Sequence, residues 1–290
     1  MISKTLIGKE NYLFLQNDSG QELKIHNENL DLVADNFYLK YSENINKYLL
    51  VVFPNKSLIH KKYLPDEYDL KYRPGYIKYN DYLKNHILDG YPILKDKLDT
   101  YYKTDTHINL KGNYIIYLNF IDKIKNLYNL EVEEKNIVLK EKIIEDGLST
   151  LNLGIGDLTW DINLNNQDLK EKTDTYFYSE QVREIYVKYI FINDSDLRIK
   201  DKYLNDVTNK YLNNHLTWDI ISNYILYQKN NIKNKNKVLI FYDSFLLSGI
   251  DLYLDLFGEV YFSKSIYDIN LINLIKPDYI FEFRCERFLF

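Results

Sequence analysis

Apolar positions along the chain follow two distinct periodicities. Apolar runs at 49–53 (Leu-Val-Val-Phe preceded by Leu) and 238–241 are the pattern of strands covered on both faces, as in the middle of a parallel sheet, and the mostly apolar 279–283 is expected to be the final strand. Elsewhere the spacing is three and four. Leu110, Tyr114, Tyr117, Leu118, Ile121, Ile124 and Leu127 predict a helix of several turns, with Asn109 as its N-cap. Leu32, Val33, Phe37, Tyr41, Ile45 and Tyr48 predict one over 29–48, and a second helix is expected over 76–88, ended by Asp89-Gly90.

The segments between are read in the same way. A turn and a strand are expected over 8–15, strands over 135–144 and within 176–192, and a loop over 147–159. The stretch 201–227 is expected to hold a helix with Trp218, Ile221, Ile225 and Leu226 on its apolar side. From 237 the grammar is regular. A strand ends at Tyr242-Asp243-Ser244, and Phe245, Leu246, Ile250, Tyr253, Leu254 and Phe257 describe a helix stopped at Gly258. A short strand at 260–262, a helix at 267–275 stopped by Pro277, and the final strand follow. Strand-helix-strand-helix-strand implies α/β architecture with a parallel sheet.

Composition changes this picture little. The 290 residues are 46% hydrophobic and 27% charged, ample for a core. A net charge of −5 without a long basic run argues against nucleic acid as the main partner. The 29 Tyr accompany heavy use of Asn, Lys and Ile, a bias of AT-rich coding rather than a carbohydrate platform. The single Cys285 excludes an internal disulfide and any Cys-rich metal site. The first ten residues show no apolar signal region, and no run is long enough to span a bilayer. A cytoplasmic location is the expectation, or a periplasmic one if the chain is a trimmed mature form.

Candidate chemistry begins at Ser244. A serine at the C-terminal tip of a buried strand stands where open α/β sheets place ligands, beside N–H donors able to stabilise an oxyanion. A structural cap made by Asp243-Ser244 fits the same pattern. Nucleophilic serine chemistry needs a base and a carboxylate to orient it. Of the five histidines, His26 has no partner pattern, His60, between Leu58-Ile59 and two Lys, reads as a surface or packing residue, His86 as structural in the expected 76–88 helix, and His215 is a secondary candidate. His107 differs, because Asp105 precedes it by two residues in a loop at a helix start. One loop can then present both side chains, with the carboxylate on Nδ1 and Nε2 facing outward. A helix-capping loop, or a metal site on Asp105 and His107, fits the same spacing, though no third ligand stands nearby at a telling distance.

Asp105-Thr-His107, followed much later by a strand ending in Asp243-Ser244-Phe245, resembles the alginate O-acetyltransferase (AlgX/AlgJ-like) branch of the SGNH hydrolase superfamily. Gly8-Lys-Glu-Asn-Tyr-Leu-Phe-Leu15 is similar to that branch's opening segment. Val52-Phe-Pro-Asn-Lys56 with Tyr63-Leu-Pro65, Thr104–His107 with Gly112, Gly156-Asp-Leu-Thr159, and the run from Val238 through Glu286-Arg-Phe-Leu289 follow in its order. The resemblance implies an α/β/α sandwich with a mainly parallel central sheet over 1–290, a single SGNH-like catalytic domain with an insertion at about 160–235. It further implies Ser244 as nucleophile, His107 as general base and acid, and Asp105 as the orienting carboxylate, with no metal. The Ser244 N–H would be the first oxyanion donor, Gly154 or Gly156 the second, and Tyr242 adjoins this oxyanion and substrate-binding region. Tyr242 stands where the family usually has glycine two residues before the serine, and would crowd a turn that needed positive φ.

The activity so implied is transfer of an acetyl group to a sugar hydroxyl of a surface glycan or its precursor. No cofactor is expected to be bound, and acetyl-CoA is the expected donor for a cytoplasmic relative. The same triad also suits an esterase or deacetylase in which water is the acceptor, and the same scaffold suits a catalytically silent glycan-binding protein.

Overall fold

The apolar runs become the centre of a mainly parallel sheet in the computed structural model, which describes residues 3–18, 21–28, 42–72, 83, 85–133, 137–144, 157–159, 171–178, 186–191, 199–203 and 224–289. In chain order the strands are β1 (Thr5–Ile7), β2 (Leu13–Leu15), β3 (Tyr48–Phe53), β4 (Ile87–Asp89), β5 (Ile137–Ile144) and β6 (Glu171–Tyr178). β7 (Tyr186–Phe191), β8 (Ile199–Tyr203), β9 (Tyr224–Lys229), β10 (Lys237–Tyr242), β11 (Glu259–Ser263) and β12 (Tyr279–Cys285) follow. The helices are α1 (Glu22–Glu28), α2 (Lys56–Ile59), α3 (Gly90–Leu94), α4 (Leu110–Tyr128) and α5 (Ile269–Ile275).

The principal sheet has the order β4-β3-β12-β10-β11-β9-β7-β8. From β4 to β11 every neighbouring pair is parallel, and from β11 through β9 and β7 to β8 every pair is antiparallel. β1 pairs with β2, and β5 with β6, as separate antiparallel ribbons. All six residues of β3 are buried, which is why this strand carries no polar alternation. Leu49, Val51, Val238, Ile240, Phe281 and Phe283 pack on one face against Ile116, Phe120 and Ile124 of α4. Leu50, Val52, Leu239, Phe241 and Ile280 pack on the other against Leu271, Ile272 and Ile275 of α5. Each such side chain contributes about 1.5–3 kcal/mol on leaving water, so two covered faces hold the sheet between two helical layers. The result is an α/β/α arrangement, and among the described residues no helix is long and apolar enough to cross a membrane.

Helix α4 runs where the three-and-four spacing places it, and the Asn109 side chain accepts from Gly112 N at 3.0 Å as its cap. Four expectations are corrected. Residues 87–89 extend as β4, pairing in parallel with β3, and Gly90 opens α3 instead of closing a helix. A Cβ on Gly90 would lie 2.5 Å from Val52 O, so the close packing of α3 on β3 requires glycine there. Tyr48 begins β3 rather than ending a helix. Ile225 and Leu226 lie in β9, because antiparallel ladders, of Leu226 with β11 and of Ile225 with β7, outweigh helical spacing. The segment after β10 winds as a 3-10 helix over Ser244–Leu252 rather than an α-helix through Phe257. The helical patterns over 29–41 and 76–82, and residues 204–223 with Trp218 and Ile221, lie outside the described residues.

Candidate active site

Parallel pairing brings the C-terminal ends of β3, β12 and β10 to one edge of the sheet, where Asn55, Glu286 and Ser244 follow them. The turn after β10 is held by Asp243. Its carboxylate accepts from Phe245 N at 2.9 Å and from Cys285 N at 2.6 Å, while its own N–H donates to Phe283 O. Asp243 has extended backbone (φ −106°, ψ −175°), so the turn starts without a left-handed residue. Tyr242 ends β10 at negative φ with its ring 3% exposed, edge-on to Phe262 within the core. Side-chain bulk at 242 is therefore accommodated in the sheet and does not crowd the serine. Ser244 itself is partly exposed at the start of the 3-10 helix.

The loop carrying Asp105 and His107 closes on itself through a bridge between Tyr101 and Ile108 and through Tyr102 N to His107 O. Within it Asp105 is fully buried. Its Oδ1 accepts from the backbone N–H of His107 at 2.9 Å and lies 2.5 Å from His107 Nδ1. His107 Nε2 lies 2.7 Å from Ser244 Oγ, although the two residues are 137 positions apart. The imidazole rests against the Phe245 ring, with centroids 4.9 Å apart. Asn113 of α4 ties the two halves together, donating to Phe245 O at 3.0 Å and to Ser248 Oγ at 2.7 Å, while Ser248 Oγ donates to Ile108 O.

Burial alone would raise the Asp105 carboxyl, but the charge of His107 and the hydrogen bonds from its ring and backbone hold it below the ordinary carboxylate range. Burial likewise opposes charge on His107. The Asp105 charge and hydrogen bond, with a further pull from Asp157, outweigh that and raise the imidazole above its ordinary value. A carboxylate, an imidazole and a hydroxyl in such a chain can take the hydroxyl proton and return it to a leaving group.

Two residues without an assigned role from sequence emerge here. The buried Lys56 ammonium, just beyond β3, donates to Leu13 O at 2.6 Å, Lys103 O at 2.8 Å and Asp105 O at 3.0 Å, strapping the loop to β2. Asp157 lies beside Thr106 and His107. Both belong to segments noted in the sequence, Val52–Lys56 and Gly156–Thr159, and that recurrence was the available signal. Gly154 and Gly156 lie outside the described residues. Asp105, His107 and Asp157 can offer three ligand atoms within 4.8 Å of one another, but both imidazole nitrogens are already engaged, by Asp105 and Ser244. A metal would have to displace one of those bonds.

No family model matches the chain, and no curated relative matches it. Solved structures do. PatB1 of Bacillus cereus superposes with a TM-score of 0.61 at 13% identity, covering 98% of this chain and 96% of that one. PatB1 is also solved with a sulfonyl adduct. A DHHW family protein from Eubacterium siraeum gives 0.60 at 16% identity, covering 100% and 93%. The O-acetyltransferase domain of Pseudomonas putida AlgJ gives 0.52 at 11% identity, covering 99% and 92%. The likeness is not confined to the AlgX/AlgJ branch, and it shows that this chain has the SGNH-like α/β fold that these structures share.

Proposed function

We propose that the protein is a carbohydrate O-acetyltransferase working through an acyl-serine, with Ser244 as nucleophile, His107 as general base and acid, and Asp105 as the orienting carboxylate. The observation that carries this reading is the continuous chain from Asp105 Oδ1 through His107 to Ser244 Oγ, at 2.5 and 2.7 Å. His107 Nε2 takes the Ser244 proton as Oγ attacks the acetyl carbonyl, and Asp105 balances the imidazolium. The oxyanion is stabilised first by the Ser244 N–H at the opening of the 3-10 helix. His107 returns the proton to the leaving group. A sugar hydroxyl, deprotonated by the same nitrogen, then attacks the acetyl-serine, restoring Ser244 and releasing the acetylated sugar. The likeness to an O-acetyltransferase domain supports acetyl transfer as the class of reaction, and the order of the sequence motifs supports a glycan acceptor. Acetyl-CoA is the donor we propose to test first.

The decisive experiment incubates the protein with acetyl-CoA, or with an activated acetyl ester, and a panel of glycans. Acetylated sugar is expected from the wild type. Ser244→Ala and His107→Ala should each lower turnover by at least about a thousandfold, with Ser244→Ala melting normally. A sulfonyl fluoride should label the wild type once, at Ser244. Undiminished ester turnover in Ser244→Ala would remove the proposal, and free acetate without acetylated sugar would reassign the same residues to hydrolysis.

A further inference from the structure

Among titratable groups outside the Asp105–His107–Ser244 chain, Asp157 grips this loop through both carboxylate oxygens and its own N–H, and it reaches the loop from 51 residues away in sequence. Its carboxylate accepts from Thr106 N at 2.8 Å through one oxygen and from Thr106 Oγ1 at 2.7 Å through the other. The second oxygen stands 3.6 Å from His107 Nδ1. Its backbone N–H returns the contact, donating to Asp105 Oδ2 at 3.3 Å. The next residue repeats the tie, with Leu158 N donating to Thr104 O at 3.3 Å and Leu158 O accepting from Thr5 Oγ1 at 2.8 Å. Residues 104, 105 and 106 are therefore all gripped from one short segment.

We propose that Asp157 is a positioning residue for His107, clamping the Asp105-Thr106-His107 turn and setting a second negative charge at the Nδ1 edge of the imidazole. This rests on the functional reading above only for its consequence on turnover. The clamp explains why Asp105 presents Oδ1 to the imidazole, since Oδ2 is held by the Asp157 N–H. It also fixes the Thr106 hydroxyl, whose oxygen lies 3.3 Å from Nδ1. Because that hydroxyl spends its hydrogen on Asp157, its oxygen can only accept toward Nδ1, which favours the tautomer with the proton on Nδ1, facing Asp105, and leaves Nε2 for Ser244. The other charged groups acting on His107 are Arg287, which opposes protonation, and Asp243 beneath the nucleophile turn, with Ser244 on Nε2 and the Phe245 ring on one face. Asp157 is the one of these acidic groups that is substantially open to solvent, its side chain 40% exposed, so its charge reaches His107 partly screened.

The test is a nitrogen-15 histidine NMR titration of His107, identified by its loss in His107→Ala, in the wild type and in Asp157→Asn. The amide can still accept from Thr106 N but carries no charge. The His107 midpoint should fall by roughly 0.5–1 pH unit, and kcat for an activated acetyl ester should fall about tenfold or more with KM nearly unchanged. Thr106→Val cuts the side-chain tether while leaving both carboxylates, and should lower the midpoint in the same direction. It also serves as the readout if Asp157→Asn fails to fold. A His107 midpoint that stays at the wild-type value in the folded variants overturns the proposal. Because the titration needs no turnover, a wild type that consumes neither acetyl-CoA nor the activated ester with the glycans present would sink the functional reading and still leave Asp157 decided.

Discussion

At the scale of single residues, the loop that carries His107 is held by charge as much as by packing. Lys56 is 2% exposed, and its ammonium is compensated by three carbonyl oxygens and by the faces of Phe14 and Tyr12, at 5.3 and 5.8 Å. Burying a cation is tolerated when its donors are satisfied, and the carbonyls in turn depend on it. Lys56→Met preserves length and removes the donors, leaving carbonyls on Leu13, Lys103 and Asp105 to lose a partner. The expected loss is about 2–4 kcal/mol of unfolding free energy in urea. Sulfonyl labelling of Ser244 should slow as the Asp105 backbone loosens. An unchanged urea midpoint would show that the strap carries no load.

At the scale of elements, the start of α4 sets where His107 stands. Asn109 caps the helix and also donates from its side chain to Asp99 O at 2.8 Å, while its N–H reaches Thr100 O, so the cap and the loop are one unit. Gly112 lets them touch. A Cβ there would fall 2.4 Å from Thr100 O and 2.5 Å from Ile108 Cγ1. In an exposed helix, alanine is better than glycine by about 1 kcal/mol. Here the sign should reverse, with Gly112→Ala destabilising by about 1–3 kcal/mol and displacing residues 100–108. Chemical denaturation reads the sign directly, and a stabilised variant would mean that the loop does not rest on this turn.

At the scale of the whole molecule, stability should depend on pH through histidines that act in opposite directions. His60 is fully buried among Tyr12, Tyr63 and Tyr101, neither ring nitrogen has a hydrogen-bond partner among the described residues, and burial, with Lys56 and Lys62 nearby, lowers its pKa to about 3. The unfolded chain takes up a proton near 6.5 that the folded one refuses, so this contribution is complete above 6.5 and is lost as pH falls from there toward about 3. His107 works the other way. Its raised pKa stabilises the fold fully below 6.5, and that part is lost as pH rises through its folded value. A series of unfolding curves should therefore show an acid limb that His60→Phe flattens. An acid limb equally steep in His60→Phe would assign it to the carboxylates, such as Asp105, whose depressed pKa is felt only at lower pH.

The local features of this protein could be read in one dimension. Continuous apolar runs marked β3 and β10, because a strand covered on both faces has no polar side to display, and the mostly apolar stretch at 279–283 marked β12. Asn109 marked the start of α4, and Asp105 and His107 stood out because their contact spans two residues and needs only a turn. Segments whose state depends on a neighbour read differently in the structure: Ile225 and Leu226 follow helical spacing, yet Leu226 pairs with β11 and Ile225 with β7, and Ile87–Asp89 extends because β3 offers an edge. The meeting of His107 with Ser244 across 137 residues, the Lys56 strap and the Asp157 clamp arise only when the sheet aligns its strand ends and the loops close over them. Hydrogen bonds and charges act over a few ångströms of space, and separation along the chain does not encode that distance.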